Sequence, residues 1–311
     1  MPQHVLRGRR TRTPLTSRSL AVRAAGTIVA GAAVFAAPAA AQASVPAPIV
    51  VPCSSSALVS AIHQANSAGP AILLLSRGCN YVLTSAVALA EGLPPVTGHL
   101  VISGSGGTTI SRSSSTAFRI LHVAPGGRLT LANVTVANGN VSPGIGGGIE
   151  DEGSLVLRNV RLTGNTSDSG GGLFVGSGAD ARISSSELDR NDSRNGAGGA
   201  IDSRGDLVID RSILTRNTSV GGGGVFTSPG ATTRISRTVI IRNSARNTPG
   251  AGGGILNEGA IVLTGDRVVL NDAVNGGGIA NFGSATLRFT LVAFNTPDNC
   301  FPRGSTPGCR H

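Results

Sequence analysis

Residues 146–165 read GGGIEDEGSLVLRNVRLTGN, and residues 276–295 read GGGIANFGSATLRFTLVAFN. Each stretch runs from a Gly cluster into an aliphatic residue, through an alternating apolar segment, to a closing Asn. Working outward, the aliphatic anchors Leu131, Leu157, Ile183, Ile209, Ile235, Leu263 and Leu287 follow one another at spacings of 26, 26, 26, 26, 28 and 24. Five residues after the anchors runs a second apolar column: Val136, Leu162, Leu188, Leu214, Ile240, Val268 and Val292. Eight residues after the last six anchors stands Asn165, Asn191, Asn217, Asn243, Asn271 or Asn295. A third apolar set, Ile149, Leu173, Ile201, Val225, Ile255 and Ile279, follows the Gly runs.

Within each repeat the apolar residues alternate with period two, as at Leu155 and Leu157 or Ile261 and Leu263. That period belongs to strands, not to helix faces. Gly-bearing turns such as Glu152-Gly153 and Glu258-Gly259 separate the first two strands. A unit of this size cannot bury its own apolar residues, so consecutive units must stack with their strands in parallel register. The expected fold is all-β: a single-stranded, right-handed, three-sided parallel β-helix over residues 99–296. A narrow aliphatic interior accounts for a composition of 45 Gly, 8 Phe, 1 Tyr and no Trp in 311 residues. The Asn column reads as a structural ladder at one corner of successive coils. The Gly runs lack the GKS or GKT of a phosphate-binding loop and the Asp spacing of calcium-binding nonapeptides, so no cofactor is expected.

The ends are read differently from the middle. Residues 1–43 hold six Arg and no acid, followed by the apolar run Ala24–Ala37 and small residues at Ala41-Gln42-Ala43. This is the pattern of a secretory signal peptide, with cleavage before Ser44 and a secreted or surface-associated product with no membrane span in its mature part. Residues 44–98 form an N-terminal cap, in which Leu58, Ile62 and Ala65 mark a short amphipathic helix. Residues 297–311 form a stapled tail. Four Cys permit three pairings; the local pairs Cys53–Cys79 and Cys300–Cys309 are favoured because the ends of an elongated domain lie far apart. No metal site is expected, since no His accompanies these Cys.

The formal charge of +10 falls to about +4 once the leader is set aside. With so few aromatic residues to stack on bases, nucleic acid is excluded as a partner. Arg190, Arg216 and Arg242 precede Asn on three consecutive coils. Stacked like charges require solvent, acids or an anionic ligand, so they are the candidate contacts for an extracellular polysaccharide or cell-surface glycan. Glu187 falls in the column of Arg161, which suggests a cross-coil ion pair. Carboxyl chemistry would need converging acids. The candidates are Glu150 and Asp202, in equivalent places with Phe174 between them, and the group Asp206 and Asp210.

The quoted repeats resemble those of polymorphic outer-membrane proteins and of secreted pectate-lyase-like β-helix proteins. The segment from Cys53 to Gly69, followed by ILLLSRGCNYVLT at 72–84, is similar to the start of such exported proteins. The resemblance implies the β-helix fold and, for the lyases and hydrolases built on it, acidic calcium ligands with a basic proton acceptor or grouped Asp residues. No translocator barrel follows Asn295, so free secretion or loose surface association is expected. The resulting reading is a monomeric, secreted, non-catalytic β-helix protein binding acidic glycans. The alternative is a carbohydrate-active lyase or hydrolase.

Overall fold

The computed structural model describes residues 46–246 and 251–310; the leader expected at 1–43 lies outside them. The described chain is a right-handed parallel β-solenoid. Each coil begins with a Gly-run strand, such as Ile149–Asp151, then an anchor strand, Ser154–Arg158, then a third strand, Arg161–Thr163. Across coils these build sheets of eight, ten and nine strands respectively. The repeat anchors lie directly over one another, with Leu157 between Leu131 and Ile183. Leu162 likewise sits between Val136 and Leu188, and Ile149 pairs with Leu173. Every one of these aliphatic residues is fully or almost fully buried. Ten stacked strands at about 4.8 Å give a rod about 43 Å long.

The solenoid has a fourth ladder that a three-sided reading omits. Asn140–Ile145, Thr166–Ser169, Asp192–Ser193, Thr218–Ser219 and Ser244–Ala245 pair in parallel just after the Asn column. Three of these five strands are two residues long, and most of their residues are Ser, Thr, Asp or Asn, with Val141, Ile145 and Ala245 the aliphatic exceptions, so period-two hydrophobicity could not reveal them.

Two rows of side chains tie coil to coil. The Nδ2 of Asn191 donates to the Asn217 Oδ1 at 2.9 Å and to the Leu162 carbonyl at 3.0 Å, while the Asn191 N–H reaches the same Asn217 oxygen. This pattern repeats from Asn165 to Asn295 and ends on Asn299. Each buried amide is thus satisfied on both sides. A second row lies three residues after the anchors from Ile183 onward. The Ser186 N–H donates to the Ser212 Oγ, that of Ser212 to the Thr238 Oγ1, and that of Thr238 to the Asp266 Oδ1.

The corners have a backbone cause. The residue two after the anchor is left-handed in every coil from Asn133 (φ 56°) through Arg211 (46°) and Arg237 (49°) to Phe289 (52°). So is the residue before each ladder Asn, including Arg190 (52°), Arg216 (55°) and Arg242 (55°). In the Gly runs the demand is closer contact: a Cβ on Gly172 would stand 2.7 Å from the Ala200 carbonyl of the next coil.

At the amino end, the helix Ser55–Ala68 buries Leu58, Ala61, Ile62 and Ala65 over the first coil. Cys53–Cys79 fastens this cap, and Cys300–Cys309 fastens the far tail. Among the described residues no helix is long and apolar enough to cross a membrane.

Candidate functional site

Left-handed corners throw their side chains outward, which brings the arginines together along one side of the rod. The third sheet alternates inward aliphatic residues with outward polar ones, and Asp189 is an outward member whose side chain is nonetheless wholly covered. Its cover is arginine. Arg161 Nη2 lies 2.8 Å from Asp189 Oδ2, Arg190 Nη1 lies 3.0 Å from the same oxygen, and Arg216 donates to Oδ1 at 2.7 Å. Arg161 also pairs with Glu187 at 3.5 Å. Arg190 and Arg216 therefore share one carboxylate, while Arg242 has no carboxylate partner among the described residues. Around the adjoining corner, Asp210 pairs with Arg211 and Arg237 and accepts from Ser236. Desolvation opposes ionisation of Asp210, but the hydrogen bonds from Ser236 and Arg237 and the charge of Arg211 hold its carboxyl below the usual range.

A groove of about 660 Å³ runs along the corner between the anchor sheet and the third sheet. Its floor and walls come from the left-handed residues Asn133, Asn159, Ser185 and Arg211, with Arg161 and Glu187 beside them. The Asn159 Nδ2 donates to the Asn133 Oδ1 at 2.9 Å. The groove crosses five coils, about 19 Å at one strand spacing per coil.

The carboxyl candidates lie elsewhere and do not converge. Glu150 pairs with Phe174, and Phe174 with Asp202, on the outer face of the Gly-run sheet. Asp206 and Asp210 belong to the anchor sheet, so they join neither. Asp202 is completely buried: Ser169 Oγ donates to its Oδ2 at 2.8 Å, Arg204 lies 3.4 Å away, and its Oδ1 has no partner. Burial pushes its carboxyl up, against the opposing effects of Ser169 and Arg204. Arg204 also stacks over Phe174, the residue between Asp202 and Glu150, at 4.8 Å.

Glu150 has company that sequence reasoning did not assemble. Arg119 bridges Glu91 and Glu150, its Nη2 standing 2.8 Å from Glu150 Oε2. His122, directly beside Glu150 in the sheet, has its Nδ1 3.2 Å from Glu91 and its Nε2 3.0 Å from Glu152. Burial raises the Glu150 carboxyl even though Arg119 and His122 oppose it. For His122, desolvation works downward, but hydrogen bonds to Glu91 and Glu152 outweigh it and the imidazole is raised. Glu91 comes from the cap, where no repeat flags it; only its charge within an otherwise apolar segment could have drawn attention.

No protein-family model, curated protein or solved structure matches the chain.

Proposed function

We propose that this chain is a secreted or surface-associated, non-catalytic β-solenoid, akin to pectate-lyase-like proteins with polymorphic outer-membrane-type repeats, and that it binds acidic glycans as a monomer. The observation carrying this reading is the corner groove lined by Arg161 and Arg211, with Arg237 beyond it on the same corner and Arg190, Arg216 and Arg242 on the adjoining one. Together these six guanidinium groups outnumber the three carboxylates of Glu187, Asp189 and Asp210 that pair with them. Ion pairs fix the directions of all of these arginines except Arg242, which lowers the ordering cost of meeting a ligand. Planar guanidinium groups match carboxylate and sulfate oxygens in pairs. Asn133, Asn159 and Ser185 add neutral donors and acceptors suited to sugar hydroxyls.

The binding reading is favoured over the lyase or hydrolase alternative because the candidate acids do not converge and the two on the Gly-run sheet are closed. Asp202 is inaccessible and Glu150 is held by Arg119. The test is surface binding of the chain to immobilised polygalacturonate and to a neutral glucan, with a reducing-end assay for turnover. We expect salt-sensitive binding to the acidic polymer alone, weakened at least tenfold by Arg161→Gln with Arg211→Gln, and no product. Equal binding to both polymers, or product release abolished by Asp202→Asn, would refute the reading.

A further inference from the structure

We propose that Glu91, His122 and Glu150 form a site for a zinc-class divalent cation at the amino end of the Gly-run sheet, a site independent of the arginine groove. One ligand atom from each of the three residues lies within 4.8 Å of the other two. Tetrahedral zinc with bonds of about 2.1 Å holds its ligand atoms about 3.4 Å apart, so side-chain adjustments of about an ångström close the site.

Three further observations point to a cation. Glu91 is 8% exposed, and its Oε2 is buried without any hydrogen-bond partner. An unmet carboxylate oxygen in such a place calls for a positive neighbour. Secondly, the charges do not balance: Glu91 and Glu150 share the single guanidinium of Arg119, and Glu152 meets only the His122 imidazole. With His122 as a neutral ligand the cluster carries two surplus negative charges, which a dication cancels. Thirdly, His122 has the arrangement of a metal-ligating imidazole. One ring nitrogen faces Glu91, and the other meets the Glu152 carboxylate at 3.0 Å, the outer partner that fixes ring orientation in such sites.

Arg119 remains compatible with the ion. It takes Oε1 of Glu91, the oxygen that His122 Nδ1 also faces, and Oε2 of Glu150, leaving Glu91 Oε2 and Glu150 Oε1 for coordination. A nitrogen ligand and a small ligand number favour zinc over calcium, which takes six to eight oxygens. All four cysteines are in disulfides, so thiolates do not compete. Entry is from the side of Glu152, whose side chain is 43% exposed.

The experiment is titration of the purified full chain with zinc chloride by calorimetry, with X-ray absorption on the loaded protein. We expect one zinc per chain, bound through one imidazole nitrogen and carboxylate oxygens. His122→Gln abolishes uptake, while His99→Gln, altering an exposed histidine on the anchor sheet, leaves it unchanged. Glu152→Gln keeps all three ligands and weakens affinity by about 10- to 100-fold; because Glu152 is half exposed, this variant decides the matter if His122→Gln fails to fold by circular dichroism. Absence of stoichiometric uptake, uptake undiminished in His122→Gln, parental affinity in Glu152→Gln, or calcium bound in preference to zinc would each overturn the assignment.

Discussion

Asp151 offers the sharpest physical test of the solenoid interior. It occupies the inward third position of a Gly-run strand, paired with Val123 on one side and Val175 on the other. The side chain is fully buried; its Oδ1 accepts from the Gly153 N–H at 3.1 Å, and its Oδ2 has no partner. Burial between two valines drives the carboxyl up to about 7, with the Gly153 hydrogen bond opposing and Asp180 adding to the rise. A carboxyl raised in the folded state contributes stability that is whole below its unfolded value near 4 and is lost as pH climbs to about 7. A rise of about three pH units corresponds to about 4 kcal/mol, an order-of-magnitude figure. The same column shows how the cost is avoided elsewhere. Asn257 Nδ2 donates to Asn281 Oδ1 at 2.7 Å and to the Ser284 carbonyl at 3.0 Å.

Asp151→Asn should therefore keep the bond from Gly153 and place an uncharged donor where Oδ2 now stands, with the Asp180 carbonyl as the coil-equivalent of Ser284. Urea unfolding followed by far-ultraviolet circular dichroism would be run on parent and variant from pH 4 to pH 8. The two should be within about 1 kcal/mol at pH 4, and the variant should lead by about 4 kcal/mol at pH 7. Asp266, raised by burial to about 6 despite accepting from Thr238 and Thr264, weakens both proteins over nearly the same range and largely cancels in the difference. A difference that stays constant across the range would refute the argument, because the burial cost of the charge would then be absent.

Asn217→Ala removes the amide that meets Asn191, Asn243 and the Leu188 carbonyl, leaving several buried groups unmet; a loss of about 3 kcal/mol or more in urea unfolding is expected, and a loss under 1 kcal/mol would show that water replaces the ladder. Phe289→Asn should raise stability by about 1 kcal/mol, since Phe289 is 97% exposed in a left-handed conformation that Asn133 and Asn159 adopt in the same column; an unchanged or lower melting temperature would contradict this.

The sequence exposed what every coil must repeat for the same reason. Leu157, Leu162 and Ile149 face one narrow interior, so their neighbours in adjacent coils have to be aliphatic, and the period emerges. The Asn column was equally visible because only an amide can both donate and accept at each step. What stayed hidden was set by backbone rather than by side-chain type. The column of Asn133, Ser185, Arg211, Gly265 and Phe289 has no common chemistry, yet all five share the left-handed conformation. The second ladder mixes Ser186, Thr238 and Asp266, three residue types with one acceptor oxygen in common. At the candidate sites, Arg190 and Arg216 were legible as a stacked pair with Asp189 nearby in sequence, but the convergence of Arg161 on the same buried carboxylate from the preceding coil was not. Glu91 belongs to the non-repeating cap, so no periodicity could bring it to Glu150.

This division between core and corner bears on where function can be written. An inward residue is constrained by the coils above and below, and changing it costs packing along the rod. A left-handed corner residue points away from that core whatever its side chain, so its identity is free once the backbone strain is accepted. The two corners flanking the third sheet show the consequence. They carry Asn133 and Asn159 first, then arginines from Arg190 to Arg242, and finally Leu270, Phe289 and Phe294, all three well exposed. The rod thus changes from polar to cationic to apolar along one side while the anchor and third-sheet columns of its interior stay largely aliphatic. Selection for folding alone would place Gly or Asn at these corners, as at Gly164 and Gly265, because they adopt the conformation with least strain. Arginine there costs stability in each of five positions and contributes charge at regular spacing. Part of that charge is met within the chain, by Asp189 for Arg190 and Arg216 and by Asp210 for Arg211 and Arg237, while Arg242 has no carboxylate partner among the described residues; the arginine corners, rather than the buried acids of the Gly-run sheet, are therefore where the binding reading is best tested.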